Sequence, residues 1–129
     1  MMKSTPLALA LVCVGLITTA PSLSAHHGTA AYDTTTTVTI SGTVTEFRFT
    51  NPHVLIFWDA KDEAGNLQRW SGERGGPNSM ARNAGWSSRT IKPGDQVTIT
   101  GRPSKNATHT MAISKIILNG KELSMGGND

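Results

Sequence analysis

The sequence predicts an all-β domain with one short helix, in the form of a small five-stranded Greek-key barrel of the OB type. Three observations carry this expectation. Apolar and polar residues alternate in several short runs, the period of half-buried strands. Clusters rich in Gly, Pro, Asn and Asp separate those runs and read as turns. The resulting order is strand, strand, strand, short helix, strand, strand, with a bend in the first strand. An OB barrel of about 100 residues has this order, whereas the rival β-sandwich asks for about seven strands.

The barrel is expected over residues 36–123. Val38, Ile40, Gly42 and Val44 alternate with Thr37, Thr39, Ser41 and Thr43, and then the phase slips, because Phe47 and Phe49 stand at odd positions. A slip of one residue exchanges the two faces, so a β-bulge or sharp bend falls between Val44 and Phe47. Thr50-Asn51-Pro52 interrupts the run. Val54 to Trp58 is continuously apolar and is expected to be buried on both faces. A polar turn at residues 62–66 leads into a third strand, Leu67 to Glu73, which Gly75-Gly76 ends. Pro77 to Ala84 is the expected helix, with Pro near its first position and Gly85 as the stop. Lys92-Pro93-Gly94-Asp95 is a turn signal before the fourth strand, Gln96 to Gly101. Met111 to Leu118 is the fifth, and Asn119-Gly120 signals a type I′ hairpin. A loose tail is expected over residues 124–129.

Residues 1–25 stand apart from this pattern. Lys3 precedes the apolar run Leu7 to Ile17, and a polar stretch ends at Ala25. That organisation is a secretory signal peptide, with cleavage expected after Ser24 or Ala25. The apolar run is too short to span a bilayer, which takes roughly 20 residues. A periplasmic or secreted protein with no stable membrane span after cleavage is therefore expected. The mature chain would keep about 104 residues and begin with an irregular arm at residues 26–35.

Composition excludes more than it selects. The full chain has 129 residues, 12 Lys plus Arg against 9 Asp plus Glu, and one cysteine, Cys13, inside the leader. A disulfide framework and a multi-cysteine zinc site are thus excluded. Nucleic acid is not an expected partner, because the basic excess is slight and does not interleave with aromatics. No P-loop, nucleophile elbow, HExxH or CxxC occurs, so no catalytic residue is assigned and an enzyme is not expected.

All four histidines, His26, His27, His53 and His109, lie beyond the leader. Cleavage would place His26 and His27 beside a new α-amine, and an amine with imidazoles suits a tetragonal Cu(II) site. Zinc with three nitrogen ligands is the second choice. His53 follows Asn51-Pro52, whose restricted backbone positions it, and it is the natural third ligand. The competing readings are a solvated chain start for His26-His27 and a backbone-bonding structural role for His53. His109, between two threonines, is expected to be exposed.

A second constellation is Trp70, Glu73, Arg82 and Trp86, an aromatic and charged group around the helix. OB barrels often bind ligands on the face of their second and third strands. The competing reading makes these tryptophans packing residues that close the barrel ends. Trp58 is expected in the core.

Taken together, His26-His27, Tyr32-Asp33, Gly42-Thr43-Val44, Asn51-Pro52-His53, Arg82, Gly85-Trp86 and Lys92-Pro93-Gly94-Asp95 resemble a family of small exported bacterial proteins known only as a domain of unknown function. The resemblance runs from His26 to about Leu123. It implies an envelope location and a compact β fold, supplies no activity, and favours a shared site for the His-His and Asn-Pro-His elements. Two functions follow as expectations: a copper-binding module using His26, His27 and His53, or a metal-free accessory domain. The latter would bind a small ligand or envelope protein through Trp70, Glu73, Arg82 and Trp86.

Overall fold

The structure, a computed structural model, describes residues 29–127. The leader assigned to residues 1–25, together with His26 and His27, therefore lies outside the described residues. A short 3-10 turn, Thr29–Ala31, precedes strands β1 (Val38–Arg48), β2 (Val54–Lys61) and β3 (Leu67–Arg74). Helix α1 (Pro77–Ala84) follows, then β4 (Gln96–Pro103), β5 (Thr110–Leu118) and the two-residue β6 (Lys121–Glu122). The strands are ordered β3-β2-β1-β4-β5-β6, and β3 also pairs with β5. That last pairing is parallel, sets Glu73 opposite Ala112, and closes five strands into a barrel with β6 appended. All other pairings are antiparallel, so the fold is the OB-type Greek key that the strand order predicts.

β1 holds the barrel together because it is shared. Its first half pairs with β4, Val38 opposite Gly101 through Thr43 opposite Gln96. Its second half pairs with β2, and the register shifts between Val44 and Glu46. This is the expected bulge, and it explains the change of phase: inward positions are even up to Val44 and odd at Phe47 and Phe49. At Gly42 the turn of the sheet is so tight that a Cβ would run into the Asp59 carbonyl and sit 2.9 Å from Trp58 Cδ1. Only a residue without a Cβ fits there.

The inner face of β2 supplies Val54, Ile56, Trp58 and Ala60, which meet Val44, Ile99, Met111, Ile113 and Ile116 in one core. Trp58 is fully buried. The run Val54 to Trp58 is not covered on both faces, as its composition leads one to expect. Burial alternates along it, leaving Leu55 and Phe57 half-buried on the outside. Phe57 is apolar there because the Arg48 guanidinium lies 4.9 Å over its ring, a cation–π contact that shields it from water.

α1 occupies the residues its end signals predict. Pro77 stands at its start, and Gly85, at φ 72° in the left-handed region, ends it with its N–H bonded to the Ala81 carbonyl. The turn before β4 has Gly94 at φ 93° and is closed by the Asp95 N–H on the Lys92 carbonyl at 3.1 Å. Asn119 and Gly120 both take positive φ, as a type I′ hairpin demands. Beyond β6 the tail is not loose, as its composition predicts. As far as Gly127 it lies by α1, with Ser124 accepting a 2.7 Å hydrogen bond from Trp86 Nε1 and Gly126 so close that a Cβ would meet Asn83 and Ala84 backbone.

Candidate functional site

The arm is the first component of the site. From Thr29 onward it is tied down. Tyr32 forms an antiparallel bridge with Ser104, the Asp33 N–H bonds the Pro103 carbonyl at 2.9 Å, and the Lys105 N–H bonds the Ala31 carbonyl at 3.0 Å. Asp33 then ends the arm with a polar turn. Its carboxylate accepts the Thr35 hydroxyl at 2.6 Å, the Thr35 N–H at 2.8 Å and the Thr36 hydroxyl at 2.7 Å. The two hydroxyl bonds, and after them the Thr35 N–H, hold its carboxyl down at about 2, because each stabilises the charged form.

Asn51-Pro52-His53 is the second component. These residues form the connection between β1 and β2, with a cis Asn51–Pro52 peptide. The connection packs on the junction of β3 and α1. Val54 N–H bonds the Gly75 carbonyl at 3.1 Å, and a Cβ on Gly76 would stand 3.1 Å from the Pro52 carbonyl. Gly76 thus does more than stop a strand: it lets the Pro52 backbone approach, which brings His53 to β3.

Glu73 joins the two components. It stands near the end of β3, opposite Leu55 of β2 and Ala112 of β5, on the outer face of the barrel. His53 Nδ1 lies 3.2 Å from Glu73 Oε2, with side chains 31% and 20% exposed. Tyr32 is buried, and its phenol lies close enough to the same carboxylate to feel its charge. Its phenol is raised well above the ordinary 10.0, first by burial and then by the hydrogen bond and negative charge of Glu73. Tyr32 therefore remains neutral at physiological pH, and a single carboxylate lies between the arm on one side and His53 on the other. Sequence reasoning places Glu73 in a different group and gives Tyr32 no role. A lone tyrosine in an irregular arm carries no signal of its tertiary partner.

The four residues Trp70, Glu73, Arg82 and Trp86 are not gathered into one surface. Trp70 and Glu73 are three apart on a strand and so point to opposite faces. Trp70 turns inward onto Trp58, ring centroids 6.1 Å apart, while Glu73 turns outward. Trp86 is buried, packs edge-on to Phe47 at 6.3 Å, and has its indole N–H on Ser124. Arg82 is exposed on the last turn of α1, where a cation complements the helix dipole. The packing reading of these tryptophans matches their surroundings. His109, expected to be exposed, is half-buried, with positive φ of 52° and its ring 5.0 Å from that of Trp70.

Among the described residues no three His, Cys, Asp or Glu side chains come together as a metal-holding group. What is present is the His53–Glu73 pair, with the arm fastened nearby to the β4–β5 connection through Tyr32, Asp33 and Ala31. Also among the described residues, no helix is long and apolar enough to cross a membrane.

The fold and site define a small OB-type barrel with an imidazole–carboxylate pair on its outer face, beside an anchored N-terminal arm. The chain belongs to the family of unknown function DUF6152, whose family model matches residues 11–112. No curated protein matches it closely enough to lend it a role.

Proposed function

We propose that this is an exported copper-binding module, with His26, His27 and His53 as the ligands. The observation that supports the reading is the convergence of the arm on His53 through Glu73. His27 lies five residues before Tyr32 in sequence, a tether of at most roughly 17 Å when extended. That reach is ample for an arm whose anchor, Tyr32, lies beside the carboxylate that His53 contacts.

The donor set fits the metal. Cleavage after Ala25 would offer the His26 amine and imidazole, and cleavage after Ser24 would put His27 third in the chain. Either set with His53 is nitrogen-rich and suits tetragonal Cu(II), which also stands highest among divalent ions in affinity. Zinc is the second choice, since three nitrogens also serve it. Bound copper would supply a one-electron redox centre. The protein's own part is to bind and orient it, and no reaction is assigned.

The test uses the mature protein with its natural N-terminus. Cu(II) is titrated in competition with a chelator of known affinity, and paramagnetic resonance reads the nitrogen ligands. One tight copper per chain is expected. His53→Ala should lose roughly 100-fold or more, beyond the 10–100-fold typical of an outer-shell partner. Unchanged affinity in that variant would reduce the binding to terminal chelation and refute the three-histidine site.

A further inference from the structure

Resting on the copper reading above, we infer that Glu73 is the positioning residue of the site. It fixes the His53 ring so that Nδ1 carries the proton and Nε2 presents its lone pair to the metal. The geometry decides this from the side of the carboxylate. Glu73 Oε2 is the partner of Nδ1 at 3.2 Å, and an ionised carboxylate can only accept. Nδ1 must therefore be the donor. In the neutral ring that leaves the lone pair on Nε2. The same carboxylate lies beside the Tyr32 phenol, and it cannot swing toward an ion without giving up its bond to Nδ1.

Three features of the chain make the arrangement stiff. Glu73 lies in a strand paired on both sides, to Leu55 and to Ala112. His53 is set one residue before β2, where Val54 is locked to Gly75. Its side chain and that of Glu73 are both largely covered, which limits competition from water. Carboxylates in this outer position orient a metal-binding imidazole and raise its basicity. Glu73 is then a neighbour of the metal centre and not one of its ligands.

The tautomer can be read without metal. Long-range proton–nitrogen correlation spectra of the apo-protein, recorded where imidazole is neutral and assigned with His53→Ala, should show His53 protonated at Nδ1. Glu73→Ala should abolish that preference. Glu73→Gln keeps the shape and an acceptor oxygen, so it should restore most of it, which also covers the case in which the alanine variant fails to fold. With Cu(II), Glu73→Gln should keep one ion per chain with an altered resonance spectrum, and Glu73→Ala should lose about 10–100-fold in affinity. An Nε2-protonated His53 in the wild type overturns the inference, as does a tautomer unmoved in a folded Glu73→Ala protein. A wild type with the expected tautomer that binds no copper overturns the metal reading and leaves the orienting bond standing.

Discussion

Tyr32→Phe removes one hydroxyl and keeps the ring, so it isolates what the phenol beside Glu73 contributes to holding the arm. Hydrogen bonds to charged groups contribute about 1.5–3 kcal/mol. Glu73 retains His53 and is 20% exposed, so water recovers part of the loss and the lower end applies, about 1–2 kcal/mol. The loss should be local, because the arm joins the barrel only at its β4–β5 connection among the described backbone bonds and can open without unfolding it. Two backbone bonds report on that opening: the Asp33 N–H on Pro103 and the Lys105 N–H on Ala31. Hydrogen exchange at these two amides should speed up about 5–30-fold, the equivalent of that free energy. Amides of β1 and β2 should be almost unchanged. Equal exchange in the variant and the wild type at Asp33 and Lys105 would refute the claim that Tyr32 anchors the arm. Faster exchange throughout the barrel would show that the hydroxyl supports the whole fold instead.

Two further outcomes follow from the geometry. Gly42→Ala drives a Cβ into the Asp59 carbonyl and against Trp58; overpacking of this kind costs about 1–3 kcal/mol. Thermal unfolding should fall by roughly 4–8 °C for each kcal/mol in a domain of this size, and an unchanged midpoint would mean that β1 does not approach β2 so closely. Tyr32 is the chain's single tyrosine, so the tyrosinate absorbance band reports it alone. Because its folded value is raised above 10.0, its contribution to stability is complete below pH 10 and is lost as pH rises beyond it. The band should emerge only together with unfolding; ionisation near pH 10 in a protein with native circular dichroism would contradict the buried contact with Glu73.

Much of the barrel could be read from local signals. The bulge is visible as a change of apolar phase between Val44 and Phe47, because a strand has only two faces. α1 has both its ends marked by Pro77 and Gly85, and Asn119-Gly120 fixes the last hairpin through its positive φ. Each is a backbone property set by one or two residues. The run Val54 to Trp58 is different. Its inner half matches the core, but hydrophobicity alone gives no account of Leu55 and Phe57. What covers Phe57 is Arg48 on a neighbouring strand, nine positions away.

The site was legible only in halves. His53 stands out because Asn51-Pro52 restrains the chain ahead of it, and the histidines can be counted from the sequence. Their grouping cannot. Glu73 and Trp70 look like neighbours in a written sequence, yet strand alternation sends them to opposite faces. Tyr32 and Glu73 look unrelated across 41 positions, yet the pairing of the arm with the β4–β5 connection brings the phenol beside the carboxylate.

The sequence by itself therefore determined the class of fold, the order of the elements, the bend in β1 and the positions of the histidines. Those follow from side-chain period, turn chemistry and residue type, all of which act over a few positions. Only the tertiary structure decided which of the candidates meet. The closure of β3 on β5, and the docking of the Asn51-Pro52-His53 connection on Gly75-Gly76, set a histidine and a glutamate 3.2 Å apart. Partnership between side chains depends on barrel closure, a long-range event that no local pattern encodes.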